Sequence, residues 1–231
     1  MGRVQRSGDA EGMDASSTSL SDGYRSGFVA LIGRPNVGKS TLVNQLVGDK
    51  VAITSPVAQT TRNRLRAILT TQDAQLILVD TPGIHKPHHL LGERLVRSAR
   101  SAIGEVDQVL LLLEGCEAPG RGDSFIVQLL RQQSLPVQVL LNKWDLVPLE
   151  QKDAADAAYR ELLSETDWPV HRCSAMSGDG CPELVKAISS LMPEGPQLYP
   201  SDMVSDQPER LLMGELIREQ VLLNTREEVP H

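Results

Sequence analysis

Aromatic side chains make up only 3% of this 231-residue chain: two Trp, three Tyr and two Phe. A core built from it must be aliphatic, drawn from the Leu, Val, Ile and Ala within an apolar content of 40%. Cysteine is also scarce. Cys116, Cys173 and Cys181 have none of the paired spacings that zinc sites use, so they read as reduced, partly buried thiols. No apolar run approaches membrane-spanning length. The longest, Val109-Leu110-Leu111-Leu112-Leu113, has the length of a buried strand. Positive charge is in deficit, with a net charge of −7, which argues against a broad nucleic-acid-binding face. Residues 1–26 are rich in Ser, Gly and Asp and poor in large apolar residues, so they are expected to be disordered. They contain no apolar signal-peptide core, and their acidic residues argue against a transit peptide.

What the chain does have is concentrated in four short motifs. Gly33-Arg34-Pro35-Asn36-Val37-Gly38-Lys39-Ser40 is a complete GxxxxGKS phosphate loop directly after the apolar run Phe28–Ile32. Glycines let such a loop curl so that its N–H groups point at phosphate oxygens. Lys39 adds a mobile positive charge, Ser40 a hydroxyl for Mg2+, and the helix that starts near Lys39 its positive dipole end. Thr41 continues that first turn. Asp80-Thr81-Pro82-Gly83 follows the strand-like run 75–79. An Asp there can hold Mg2+ through water, and the Gly83 N–H can meet a γ-phosphate. Asn142-Lys143-Trp144-Asp145 follows the run 137–141. Asp145 can accept both donors of the guanine edge, which adenine lacks, so the site should reject ATP. Lys143 can lie along the base plane. Ser174-Ala175-Met176 comes last, with the Ala175 N–H expected at the guanine O6. Each short motif alone is weak; their order is informative.

The alternation of apolar runs with helix-length segments across residues 27–192 predicts a doubly wound α/β fold, which with the phosphate loop at 33–40 resembles the P-loop NTPase type. Strands are expected near 28–33, 65–71, 75–79, 108–113, 137–141 and 169–173, giving a mostly parallel six-stranded sheet with helices on both faces. Helices are expected near 39–47, 91–103, 121–133, 150–164 and 181–191. The short turn between 65–71 and 75–79 suggests an antiparallel hairpin. Residues 193–207 carry prolines and no clear period, and read as a linker. From 208, Leu211, Leu212, Glu215, Ile217, Leu222 and Leu223 fall on an amphipathic helical pattern.

The ordered motifs, with Gln59-Thr60-Thr61-Arg62, DTPGIHKP over 80–87 and the segment Tyr199–Arg210, resemble the Era-type ribosome-assembly GTPases over about residues 27–231. That resemblance implies GTP/GDP and Mg2+ as ligands and GTP hydrolysis as the activity. Lys39, Thr61 and Gly83 would be the catalytic positions, and Thr61 would supply a second hydroxyl to Mg2+. It implies a monomer in the cytoplasm, with the small ribosomal subunit and the 3′ end of 16S rRNA as partners and a peripheral contact at the inner face of the cell membrane. It further implies that residues 208–231 open a KH domain. No basic-flanked GxxG loop follows residue 193, so the chain is expected to be a fragment or truncation that lacks most of this second domain and binds RNA weakly.

Some residues keep two readings. Ile84 stands where a water-orienting Gln would be in Ras-like enzymes, which leaves a slow enzyme, water placed by other means, or a non-catalytic GTP/GDP-sensing module. Asn36 either helps hold a K+ ion beside the phosphates, as the resemblance suggests, or simply suits the turn backbone. His85, His88 and His89 with Lys86 read as an exposed loop rather than a metal site. A related GTPase of tRNA modification or large-subunit assembly is the alternative within the class.

Overall fold

The computed structural model describes residues 23–54, 65–81 and 103–224. Six strands form one sheet: β1 (Arg25–Gly33), β2 (Leu65–Thr70), β3 (Ala74–Asp80), β4 (Gln108–Glu114), β5 (Val137–Asn142) and β6 (Val170–Arg172). Their order is β2-β3-β1-β4-β5-β6. Only β2 runs antiparallel, hairpinned onto β3, as its short connection predicted. The helices are α1 (Lys39–Val47), α2 (Arg121–Leu130), α3 (Lys152–Leu162), α4 (Cys181–Ser190) and α5 (Glu209–Asn224). The expected helix over 91–103 lies almost wholly outside the described residues. The segment expected as one helix near 150–164 instead begins as a short 3-10 turn, Leu149–Gln151, after Pro148.

The central strands are covered on both faces, which is why their sequences read as unbroken apolar runs. Alternate residues divide between two aliphatic layers. Leu31, Leu76, Leu78, Leu110 and Leu112 meet α1 and α4 through Leu42, Leu184 and Ile188. Ala30, Ile32, Val109, Leu111 and Leu113 meet α2 and α3 through Ile126, Leu130 and Tyr159. Parallel register then brings the strand ends to one rim. Leu31 pairs with Asp80, Gly33 with Leu112, and Glu114 with Asn142. β1 has β3 on one side and β4 on the other, so the chain switches direction there and opens a crevice at the strands' C-terminal ends.

The segment that reads as a linker is strapped to this sheet. Ser26 donates its N–H to Pro193 O (3.1 Å) and its hydroxyl to Pro196 O (2.7 Å). Buried Gln75 accepts the N–H groups of Leu198 and Tyr199 (2.7 and 2.9 Å) and donates to Tyr199 O (2.9 Å). Ile68 N donates to Val204 O (2.9 Å), and Ser205 Oγ donates to Arg66 O (3.1 Å), so the strap covers part of the free edge of β2. Beyond it, α5 carries exposed Met213, Ile217 and Leu223 but buries Glu219, which is only 1% exposed. That carboxylate accepts the N–H (2.7 Å) and hydroxyl (3.0 Å) of Thr54 and pairs with Lys50.

Burial raises the Glu219 pKa, but Lys50 and Thr54 outweigh it, and the net direction is down from 4.5. A depressed carboxylate pKa stabilises the fold above the unfolded value and is lost as pH falls below it. Glu219→Ala should therefore cost about 1–2 kcal/mol in holding α5 at neutral pH, less than a fully enclosed pair because Lys50 is half-exposed. Faster amide exchange at Thr54 in the variant is the expected readout. The difference from wild type should shrink below pH 4.5.

Candidate functional site

The phosphate loop owes its shape to close backbone approaches. A Cβ at Gly33 would lie 2.5 Å from Leu112 O, so only glycine lets β1 run this close to β4 as the loop begins. Asn36 (φ 63°) and Gly38 (φ 97°) both adopt the left-handed backbone. Asn is among the few non-glycine residues that tolerate it, which accounts for Asn36 on conformational grounds. At Gly38 a Cβ would also stand 2.3 Å from the Asn142 amide nitrogen. Gly38 is the N-cap of α1 and contributes no side-chain cap, so the first N–H groups of α1 face the loop.

Lys39 is 6% exposed, and its ammonium donates to the loop's own carbonyls, Gly33 O (3.2 Å) and Arg34 O (2.9 Å). Burial pushes its pKa down to about 8, with Asp80 partly opposing. Ser40 Oγ donates to Asp80 Oδ2 (2.9 Å), and both residues are buried. A hydroxyl beside a carboxylate, at the mouth of a phosphate loop, is a hard oxygen donor set that fits Mg2+. Thr81 Oγ1 donates to Leu31 O (2.7 Å) and locks the end of β3 to β1. The side chain of Thr81 is thus structural, as is that of Val37, which is buried in the core.

Arg34 differs from what its place in the loop suggests. Its guanidinium turns away to Asp123 (2.9 Å), a wholly buried residue of α2, and to Glu117 (3.4 Å). Asp123 also accepts the Gly120 N–H (2.8 Å) at the start of α2. Only the Arg34 backbone can serve a phosphate; the side chain anchors the loop. Pro35 and Thr41 are half-buried beside it.

On the base side, Asn142 ends β5 with 1% exposure. Its Nδ2 donates to Val37 O (2.7 Å) and its Oδ1 accepts the Ala175 N–H (2.9 Å). The Ala175 N–H expected at the guanine O6 is engaged by Asn142 here, and a guanine would share it. Lys143 takes a left-handed backbone (φ 60°) and pairs through Nζ with Glu114. Trp144 stands beside the cations of Arg172 and Lys152, 5.6 and 5.9 Å from the ring. Asp145 lies on the 3-10 turn Trp144–Leu146 and is exposed, so burial of its carboxylate would come from the base itself. It lines a cavity of about 190 Å3 with Cys173, Ser174 and Asp179. Ser174 is buried and its Oγ accepts the Ser177 N–H (3.2 Å), whereas Met176 is exposed.

Thr60, Thr61, Pro82, Gly83, Ile84 and the His85–His89 cluster lie outside the described residues. Glu114, Glu117 and Asp123 support the motif residues and were missed in the sequence. An acidic residue has no motif signal when its basic partner is some 30 to 90 positions away, as these are.

A family described as "50S ribosome-binding GTPase" matches residues 28–143. The chain is 56% identical to the GTPase Era of Synechocystis over 209 residues, covering 90% of this chain and 66% of that protein. It thus spans just under two thirds of that curated relative's length. Among solved structures, Era in complex with MgGDPNP and nucleotides 1506–1542 of 16S ribosomal RNA superposes with a TM-score of 0.81 at 38% identity, covering 90% of this chain and 70% of that one. An Era variant of Aquifex aeolicus bound to GDP and AlF4− matches with a TM-score of 0.81 at 39% identity, over 89% and 70% of the two chains.

The depressed Lys39 pKa gives a pH signature. Phosphate favours the ammonium, so nucleotide affinity should hold below pH 8 and fall above it, by up to roughly tenfold per pH unit. Calorimetric titration across that range, with proton uptake on binding in its upper half, is the expected result. A flat affinity would show that Lys39 stays charged across this range in the free protein.

Proposed function

The chain belongs to the Era family of GTPases, and from that premise we propose that it binds GTP and GDP with Mg2+ and hydrolyses GTP. We propose further that it serves as a switch in small ribosomal subunit assembly and 16S rRNA maturation. One observation supports the nucleotide reading above the others. The phosphate loop, the Ser40–Asp80 pair and the Asn142-bound base loop sit together at one rim of the parallel strands.

Each residue then has a role. The loop N–H groups and the start of α1 orient the phosphates. Lys39 regains a counter-charge that its own loop carbonyls supply only as dipoles. Ser40 and Asp80 would hold Mg2+, with Thr61 the proposed second hydroxyl, and the ion would offset charge on the phosphates. Gly83 is the proposed γ-phosphate contact. Asp145 reads the guanine edge and Lys143 lies along the base, held by Glu114. Catalysis on this plan is positioning and charge stabilisation rather than covalent chemistry.

The proposed partner is the 3′ region of small-subunit rRNA, on the likeness to the Era–16S rRNA complex. No helix among the described residues is long and apolar enough to cross a membrane. The proposed setting is the cytoplasm, with any membrane contact peripheral. K+ beside Asn36 is a finer proposal, tested by comparing turnover in KCl and NaCl at equal ionic strength; equal rates would refute it.

Multiple-turnover phosphate release should occur with GTP and not with ATP. Asp145→Asn should lower GTP affinity by at least about a hundredfold, two charge-assisted hydrogen bonds being lost, and should favour xanthosine triphosphate. Tight GTP binding without turnover would leave a nucleotide-sensing module instead of an enzyme. Unchanged GTP affinity in the variant would refute the base assignment.

A further inference from the structure

The base loop carries two thiols that nucleotide chemistry does not use. Cys173 directly follows β6, and Cys181 is the first residue of α4. Between them, residues 174–180 form a tight loop, closed by Ser174 N to Asp179 O (3.0 Å), Gly178 N to Ser174 O (2.8 Å) and Cys181 N to Gly178 O (3.1 Å). The loop brings its ends together. A Cβ at Gly180, the residue before Cys181, would lie 3.1 Å from the Cys173 Cβ. Both cysteines belong to the same buried cluster, at 2% and 6% exposure. Each thiol acts on the other, pushing Cys173 up and Cys181 down, as side-by-side sulfurs would. Cys173 and Gly180, the residue before Cys181, line the cavity beside Asp145, so a water-sized reagent can come up to Cys173 and to the backbone next to Cys181.

We propose that Cys173 and Cys181 are a peroxide-sensitive dithiol, which closes to a disulfide around the base loop and weakens guanine-nucleotide binding. The proposal rests on the reading of residues 174–176 as part of the nucleotide site. The chemistry balances with hydrogen peroxide as oxidant. The Cys181 thiolate attacks one peroxide oxygen, the O–O bond breaks, and the departing hydroxide takes a proton to leave as water. Cys173 then loses its proton and attacks the sulfur of the Cys181 sulfenic acid, displacing the second oxygen as water. Two thiols are oxidised, and one peroxide is reduced to two waters. Cys181 is the attacking group because it opens a helix, whose N-terminal end favours negative charge, and its pKa is held down beside Cys173. Cys116 offers the contrast: burial and Glu114 push its thiol up, and no second sulfur is described beside it.

The link to binding runs through Asn142. Cys173 Sγ lies 3.8 Å from Asn142 Oδ1, the same oxygen that holds the Ala175 N–H. A bond to Cys181 removes the S–H donor and pulls Cys173 toward α4, loosening the contact between Asn142 and the base loop.

The test treats the reduced protein with hydrogen peroxide and follows binding of a fluorescent GDP analogue by anisotropy. Both cysteines fall in one tryptic peptide, Cys173–Lys186, so the disulfide appears as loss of two hydrogens from that peptide. Affinity should drop roughly three- to tenfold, the scale of one hydrogen bond, and return with dithiothreitol. Cys181→Ser should bind the analogue as reduced wild type does and ignore peroxide. A peptide of unchanged mass overturns the proposal, as does a disulfide that leaves affinity unaltered. Loss of affinity with oxygen added at exposed Met176 and no recovery in dithiothreitol also overturns it. Failure of the reduced protein to bind the analogue would count against the nucleotide reading, while the mass of the peptide still reports on the thiols.

Discussion

The side-chain amide of Asn142 is the interaction on which the site depends. It is buried at the end of β5 and would be costly there unless both its ends were paired. Both are: Nδ2 holds the phosphate loop at Val37 O, and Oδ1 holds the base loop at Ala175 N. Two loops more than a hundred residues apart are thereby fixed to one strand end. The amide also explains Gly38, since any side chain there would collide with Nδ2. A nucleotide would meet phosphate and base contacts already set at a fixed separation, so less of its binding energy would go to ordering them.

The charged motif residues are held from behind. Arg34 is anchored by Asp123 and Glu117, and Lys143 by Glu114. Arg172 makes a two-pronged contact with Asp156 on α3 and lies over the Trp144 ring. Among these partners, Asp123 is wholly buried and tied to the start of α2, so its pairing matters most; exposed pairs contribute little. Tyr159 adds its hydroxyl to the carbonyls of Glu114 and Glu117 (2.7 and 3.1 Å), fixing the turn that carries two of these carboxylates. The loops are thus placed by a shell drawn from β4, α2 and α3, elements that carry none of the four motifs.

Much of the fold was legible because its signals are local. Runs such as Val109–Leu113 are buried on both faces and could only be central strands of a covered sheet. The β2–β3 hairpin followed from a short connection. The phosphate loop followed from glycines whose positive φ and close contacts the backbone requires. The illegible parts depend on distant pairing. Proline content made 193–207 look like a linker, yet Gln75 and Ser26 supply the partners that strap it to the sheet. The motif pattern pointed to Ala175 but not to the buried Asn142 oxygen that holds its N–H. Glu219 carries no sequence signal of its own, and only the folded chain brings Thr54 and Lys50 to it.

The central claim, that one amide joins the phosphate and base loops into a single unit, is tested most directly by amide hydrogen exchange on Asn142→Ala. The account predicts that protection falls together at Ala175, whose N–H loses its acceptor, and across residues 36–40, whose loop loses its donor at Val37 O, while the strands of the sheet stay protected. Loss of protection at Ala175 alone, with the phosphate loop unchanged, would show two independent loops and contradict it.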